Sequence, residues 1–147
     1  MKTIALRFGE HFAPECGTIS AHQQIIDEHG FVWYGKLGTP LSEKIKTTIM
    51  KLERPYILLI NSGKADRYWA HISEIKKETP EIDVIPAYYR NSAEKFKTWF
   101  KVVSFEPAPS DIMSKCRIAS SQALLGETSK RSMSPYFIIE YEETQDE

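Results

Sequence analysis

The sequence predicts an α+β fold, a small mixed β-barrel flanked by two or three short helices, and three observations carry that prediction. Several strand-like runs alternate with only two or three short helical ones, and most connections are of hairpin length, which favours a barrel over a doubly wound sheet. The run YILLI at 56–60 is almost wholly apolar, as a strand covered on both faces should be, and it passes through NSGKAD into a returning strand that carries Tyr68 and Trp69. The chain has 147 residues, 41% of them hydrophobic and 12% aromatic, enough for one domain with a sizeable core.

The elements follow in order. Residues 3–8 alternate weakly and read as a first strand, and 11–17, with Pro14 and Gly17, as loop. A helix is expected over 18–29, with Thr18 or Ser20 as N-cap and Gly30 as its stop. Residues 31–34 form a short aromatic strand broken by Gly35, Gly38 and Pro40. Ser42 caps a helix over 43–52, where Ile45, Ile49 and Leu52 recur at helical steps, and Arg54-Pro55 ends it. The central hairpin spans 56–75. Residues 82–89 are expected to be extended around Pro86, and 96–105, FKTWFKVVSF, to be a strand that Pro107 and Pro109 terminate. Residues 118–125 read as weakly helical, 126–131 as loop and 136–141 as the last strand. One domain over 1–141 follows, with 142–147 as an acidic tail or the start of a linker.

Charge is unevenly spread. The net charge is −1, but the last eight residues contain five acids and no base, which leaves 19 bases against 15 acids in the rest. The body is mildly basic, and Lys97 and Lys101, Lys130 and Arg131, with Lys64 and Arg90 near the aromatic runs, are candidates for contact with phosphates; ordinary solvated lysines are the plainer reading. The two cysteines, Cys16 and Cys116, form no CxxC pair, so neither a disulfide framework nor a zinc knuckle is indicated. No run approaches the roughly 20 apolar residues of a membrane span, and the N-terminus lacks a signal peptide's apolar stretch. A soluble, cytoplasmic protein is expected, with no membrane partner.

Catalysis finds little support. His11, His22, His29 and His71 are scattered without HxH, HxxxH or HExxH spacing, so no metal site is expected. Gly35-Lys36 and Gly63-Lys64 lack the spaced glycines of a phosphate loop. The aromatic residues say more. Trp33, Tyr34, Trp69, Tyr88 and Tyr89 offer ring faces on which a base can stack, worth about 1–3 kcal/mol per base, although Trp69, between apolar neighbours, also reads as a core residue. Asn61 and Ser62, at the hairpin turn, are candidates for reading a base edge; the plainer reading is a turn.

These runs resemble a known family. From His22 through Ile75, with an aromatic strand carrying Trp33, an amphipathic helix and then ILLINSG, the chain looks like a YTH domain. With FKTWFKVVSFEP and SMSPYFIIEY added, the whole chain looks like the PUA-like group that includes YTH, EVE and ASCH domains. The resemblance implies nucleic-acid binding, with one base, often methylated, flipped into an aromatic pocket between barrel strands, one wall of which is the central hairpin. It implies a module without catalytic activity of its own and without a cofactor. Related domains give specificity to modification-dependent restriction systems of the McrBC type, so DNA with a methylated base, and a fused or associated nuclease or GTPase, are the implied partners. Trp33 matches the first cage tryptophan, and Tyr88 or Tyr89 falls near the second, where this chain has tyrosine in place of tryptophan. The alternative is an ASCH-like RNA-binding protein or small amidohydrolase acting on modified nucleosides, with Lys64 or a carboxylate as its base.

Overall fold

Period-two alternation sorts the apolar residues of this chain onto two faces of one sheet. The computed structural model describes residues 1–8, 15–61, 66–132 and 134–141. In chain order they form β1 (Lys2–Phe8), α1 (Thr18–His29), β2 (Val32–Leu37), α2 (Glu43–Met50), β3 (Tyr56–Asn61) and β4 (Arg67–Lys76). Two 3-10 segments, Ile82–Val84 and Ala87–Lys95, lead into β5 (Phe96–Pro107), followed by α3 (Ile112–Lys115), β6 (Cys116–Ile118), α4 (Leu125–Arg131) and β7 (Tyr136–Tyr141). The sheet has seven strands in the order β2-β5-β4-β3-β1-β7-β6; β1 and β3 are parallel and every other pair is antiparallel.

One face forms the interior. Ile4, Leu6 and Phe8 of β1 pack there with Val32 and Tyr34 of β2, Ile57 and Leu59 of β3, and Phe100 and Val102 of β5. Helix α2 closes this space with Ile45 and Ile49, and α1 contributes Ile19, Ile25 and Ile26. The opposite face is covered in two places. Leu58, Trp69, Phe137 and Ile139 lie under Ile112 and Leu125 of the two short helices, and Trp33, Phe96 and Trp99 lie under Ile85, which joins the 3-10 segments, and Tyr89 and Ala93 of the second segment.

The expected barrel is realised as a mixed sheet that does not close. Among the described residues no ladder joins β2 to β6, the two ends of the strand order. Register shifts between β4 and β5 and at Lys36/Leu37 bend the sheet. The bend brings β2 toward β7: the Lys36 ammonium sits 4.6 Å from the centroid of the Tyr136 ring. A side-chain contact bridges the seam where a barrel would have a ladder.

Several local expectations need correction. Gly35 does not break its strand; β2 runs through it to Leu37. Helix α1 is preceded by Gly17 at the N-cap, with no side-chain cap, instead of being capped by Thr18 or Ser20. Gly30 stops it in the left-handed conformation as expected, and Ser42 caps α2 through its hydroxyl to the Ile45 amide, 3.3 Å. Residues 82–84 and 87–95 are 3-10 turns, so the extended conformation expected around Pro86 is confined to Ile85 and Pro86 between them. The helix expected over 118–125 falls instead at Leu125–Arg131, where a loop was expected, and Cys116–Ile118 forms an additional strand. Much of the loop expected at 11–17, and the tail 142–147, lie outside the described residues.

Candidate nucleic-acid interface

Tyr34 and Lys36 stand on edge strand β2, separated by Gly35, and a cavity of about 250 Å³ opens beside them. Its walls come from elements far apart in sequence: Tyr34 and Lys36 from β2, Leu6 and Arg7 from β1, Thr18 from α1, Tyr88 and Tyr89 from the 3-10 segment, Phe96 from β5, and Pro135. The Tyr89 ring lies 4.7 Å from Phe96 and 4.8 Å from Tyr88, and its hydroxyl bonds Tyr88 and the backbone of Gly35. Gly35 makes this packing feasible, because a Cβ there would meet the Phe96 ring at 2.7 Å.

The aromatic rings of the slot carry no charge, and the charged groups in its described lining are the Arg7 and Lys36 side chains. Burial raises the phenol pKa values of Tyr34 and Tyr89 well above the ordinary range, so both stay protonated. Behind them His22 is wholly buried, 4.8 Å from the Tyr34 ring and 5.2 Å from that of Tyr89. Burial pushes its pKa down from 6.5 to about 4, and its Nδ1 lies 2.8 Å from the Thr18 carbonyl oxygen. Lys36 is the cation beside the slot. Its ammonium donates to the carbonyls of Leu37 (3.2 Å) and Thr39 (2.8 Å), and desolvation lowers its pKa. Arg7 is tied down by the carbonyls of Ser129, Ser132 and Ser134 at 2.6–2.8 Å.

Only part of the residue set read from the sequence meets here. Tyr34, Tyr88 and Tyr89 line the cavity. Trp33, the next residue to Tyr34, points to the reverse face, where it packs with Phe96 and Trp99 and carries the Lys76 ammonium over its ring at 4.4 Å. Trp69 lies in the other outer core, 4.7 Å from Tyr56 and 5.2 Å from Tyr141. Asn61 lines a separate cavity with Cys16, Asp66 and Tyr68, and Ser62 lies outside the described residues. Among the described residues none of the central hairpin lines the aromatic slot, whose walls come from β2, β1 and the second 3-10 segment.

The cations are dispersed. Arg90 is exposed and follows Tyr88 and Tyr89 directly, Lys97 is exposed beside Phe96, and Lys130 and Arg131 are exposed at the end of α4. Lys101 sits over the Phe31 ring at 4.4 Å on the reverse face, and Lys64 lies outside the described residues. Among the described residues no group of three His, Cys, Asp or Glu side chains could hold a metal, and no helix is long and apolar enough to cross a membrane. Thr18, Lys36 and Phe96 escaped the sequence reading. A glycine inside an aromatic strand was the one signal of close packing there.

A bent, mixed sheet with helices over its interior and an aromatic slot at its seam defines an α+β domain. The chain belongs to the Pua-like family, whose model matches residues 4–143, and membership points to a nucleic-acid-binding domain. No curated protein and no solved structure gives a significant match.

Proposed function

We propose that this chain is a nucleic-acid-binding module that takes one methylated base, flipped out of DNA, into the slot between Tyr34, Tyr88, Tyr89 and Phe96. In this reading it is the specificity domain of a modification-dependent restriction system, and the catalytic step belongs to a nuclease or GTPase on another domain or subunit. The observation that carries the reading is the lining of the 250 Å³ cavity: four aromatic rings and, among the described residues, no carboxylate. Such a lining favours a neutral planar ring, and it favours a methyl group on that ring because the methyl leaves water on entry. Flipping costs a few kcal/mol, which stacking on the rings offsets. Arg90 and Lys97, both exposed and next in sequence to Tyr89 and Phe96, are the proposed phosphate contacts.

Titration of matched duplexes and single strands carrying one 6-methyladenine, one 5-methylcytosine or neither tests this. One modified form should bind in preference to the others. Tyr88→Ala removes a half-buried ring at the slot and should lower that preference about tenfold, the loss of one stacking contact. Equal affinity for all three forms would sink base selectivity.

A further inference from the structure

A second, larger cavity of about 590 Å³ lies next to the slot, between α2 and the outer strands of the sheet. Lys44 and Ile45 of α2 form one side, Tyr136 and Ile138 of β7 the other, and Lys2 of β1 stands at one end. The two cavities share a wall. Ser134 and Tyr136 line the larger one and Pro135, between them, the slot, while Lys36 lines the slot and lies over the Tyr136 ring. Arg7 holds this wall in place: its guanidinium bonds the Ser132 and Ser134 carbonyls, and its amide bonds that of Pro135 at 2.9 Å.

We infer that this groove carries the phosphodiester strand that flanks the pocketed base. The inference rests on the base-binding reading and extends it from one nucleotide to its neighbours. Charge favours this occupant. Among the described residues no carboxylate lines the groove, and Lys2 and Lys44, both exposed, make no ion pair. Glu43, the acid beside Lys44, is engaged by Lys46 at 3.1 Å and Lys77 at 3.5 Å. Two free ammonium groups suit phosphates as point charges, and Tyr136 and the exposed Ile138 supply apolar surface against which a neighbouring base can rest. The shared wall sets the path: a strand leaving the slot past Lys36 enters the groove.

The test uses the full chain and single strands of one, three and seven nucleotides containing the modified base, in DNA and RNA forms. Affinity should rise at least tenfold from one nucleotide to seven. The Lys2→Glu/Lys44→Glu variant should lose that gain while binding the single nucleotide as before. Its slope of log affinity against log salt should fall by about 1.4, the value for two phosphate contacts on a single strand. A seven-nucleotide strand that binds no better than one nucleotide, or the same gain in the variant, overturns the inference. Failure of the single nucleotide to bind, with unmodified strands bound and then lost in the variant, would support the groove and overturn the base-binding reading instead. The DNA and RNA arms identify which strand the groove accepts.

Discussion

Gly35 shows how one missing side chain shapes the slot. Its φ is ordinary, so the need for glycine is one of space: a Cβ would lie 2.7 Å from Phe96 Cδ1, 2.8 Å from Phe96 Cγ and 3.0 Å from Trp99 Cζ3. These atoms belong to the inner part of the Phe96 ring and to the wholly buried Trp99, neither of which can swing clear. Gly35→Ala should therefore cost about 1–3 kcal/mol, the range for overpacking, and should weaken base binding because Phe96 is pushed into the slot. Urea unfolding checks the first effect and titration with the preferred base the second. A double-mutant cycle with Phe96→Ala sharpens it: in that background the added methyl has room, and the cost of Gly35→Ala should shrink. Equal costs in both backgrounds would place the clash elsewhere.

At the scale of elements, β1 does more than contribute core residues. Arg7 leaves the sheet and gathers three carbonyls, from Ser129 and Ser132 around the end of α4 and from Ser134 just before β7. A planar guanidinium spreads its donors over a fixed fork of three nitrogens and so reaches carbonyls that a single ammonium nitrogen cannot all approach. Arg7→Lys keeps the charge but not the fork, so two or more carbonyls lose their donor and stability should fall by about 2 kcal/mol, given the ~1.5–3 kcal/mol of a charged hydrogen bond. Hydrogen exchange should show the loss concentrated in residues 129–136, and a loss spread evenly over the sheet would contradict the tie. The elements also show what periodicity can reveal. Helix α2 was legible from apolar residues at helical spacing, β3 from a continuous apolar run, and α1 from the Gly30 stop that ends its helical run. The 3-10 turns at 82–95 have neither pattern, and α3 and α4 are too short to be stable alone; Ile112 and Leu125 hold them from the sheet. Tyr34, Tyr88 and Tyr89 stood out as aromatic residues, whereas Thr18, Lys36 and Phe96 join them only through folding. Trp33 and Tyr34, expected together as stacking faces, are parted by the β2 backbone, since neighbours on a strand face opposite ways.

The whole molecule has its slot at the seam of an unclosed sheet, and behind that slot it holds an imidazole out of water. His22 lies at zero exposure on α1, edged by the rings of Tyr34, Tyr88, Tyr89 and Phe105. Its Nδ1 faces the Thr18 carbonyl and so carries the proton, while Nε2 has no hydrogen-bond partner among the described residues. Protonation would put a second charge-bearing N–H among phenol and phenyl rings, which is why burial lowers the pKa to about 4. In the unfolded chain the same group titrates near 6.5. Above that pH His22 is neutral in both states and shifts nothing. Between 6.5 and about 4 the unfolded chain binds a proton that the folded one refuses, so stability falls as the pH falls. The loss is complete below about 4, and at ~1.36 kcal/mol per pKa unit it amounts to about 3 kcal/mol. Urea unfolding at a series of pH values from 7.5 to 4 should show this decline in the native chain. In His22→Phe the decline should flatten by that amount, whatever the variant's own stability at neutral pH. Because the folded chain refuses this proton until the pH nears 4, the Tyr34 and Tyr89 rings keep a neutral neighbour, and affinity of the folded chain for the base should hold steady over the same acid window in both proteins. An unchanged slope in the variant would mean that His22 already takes up its proton in the folded state.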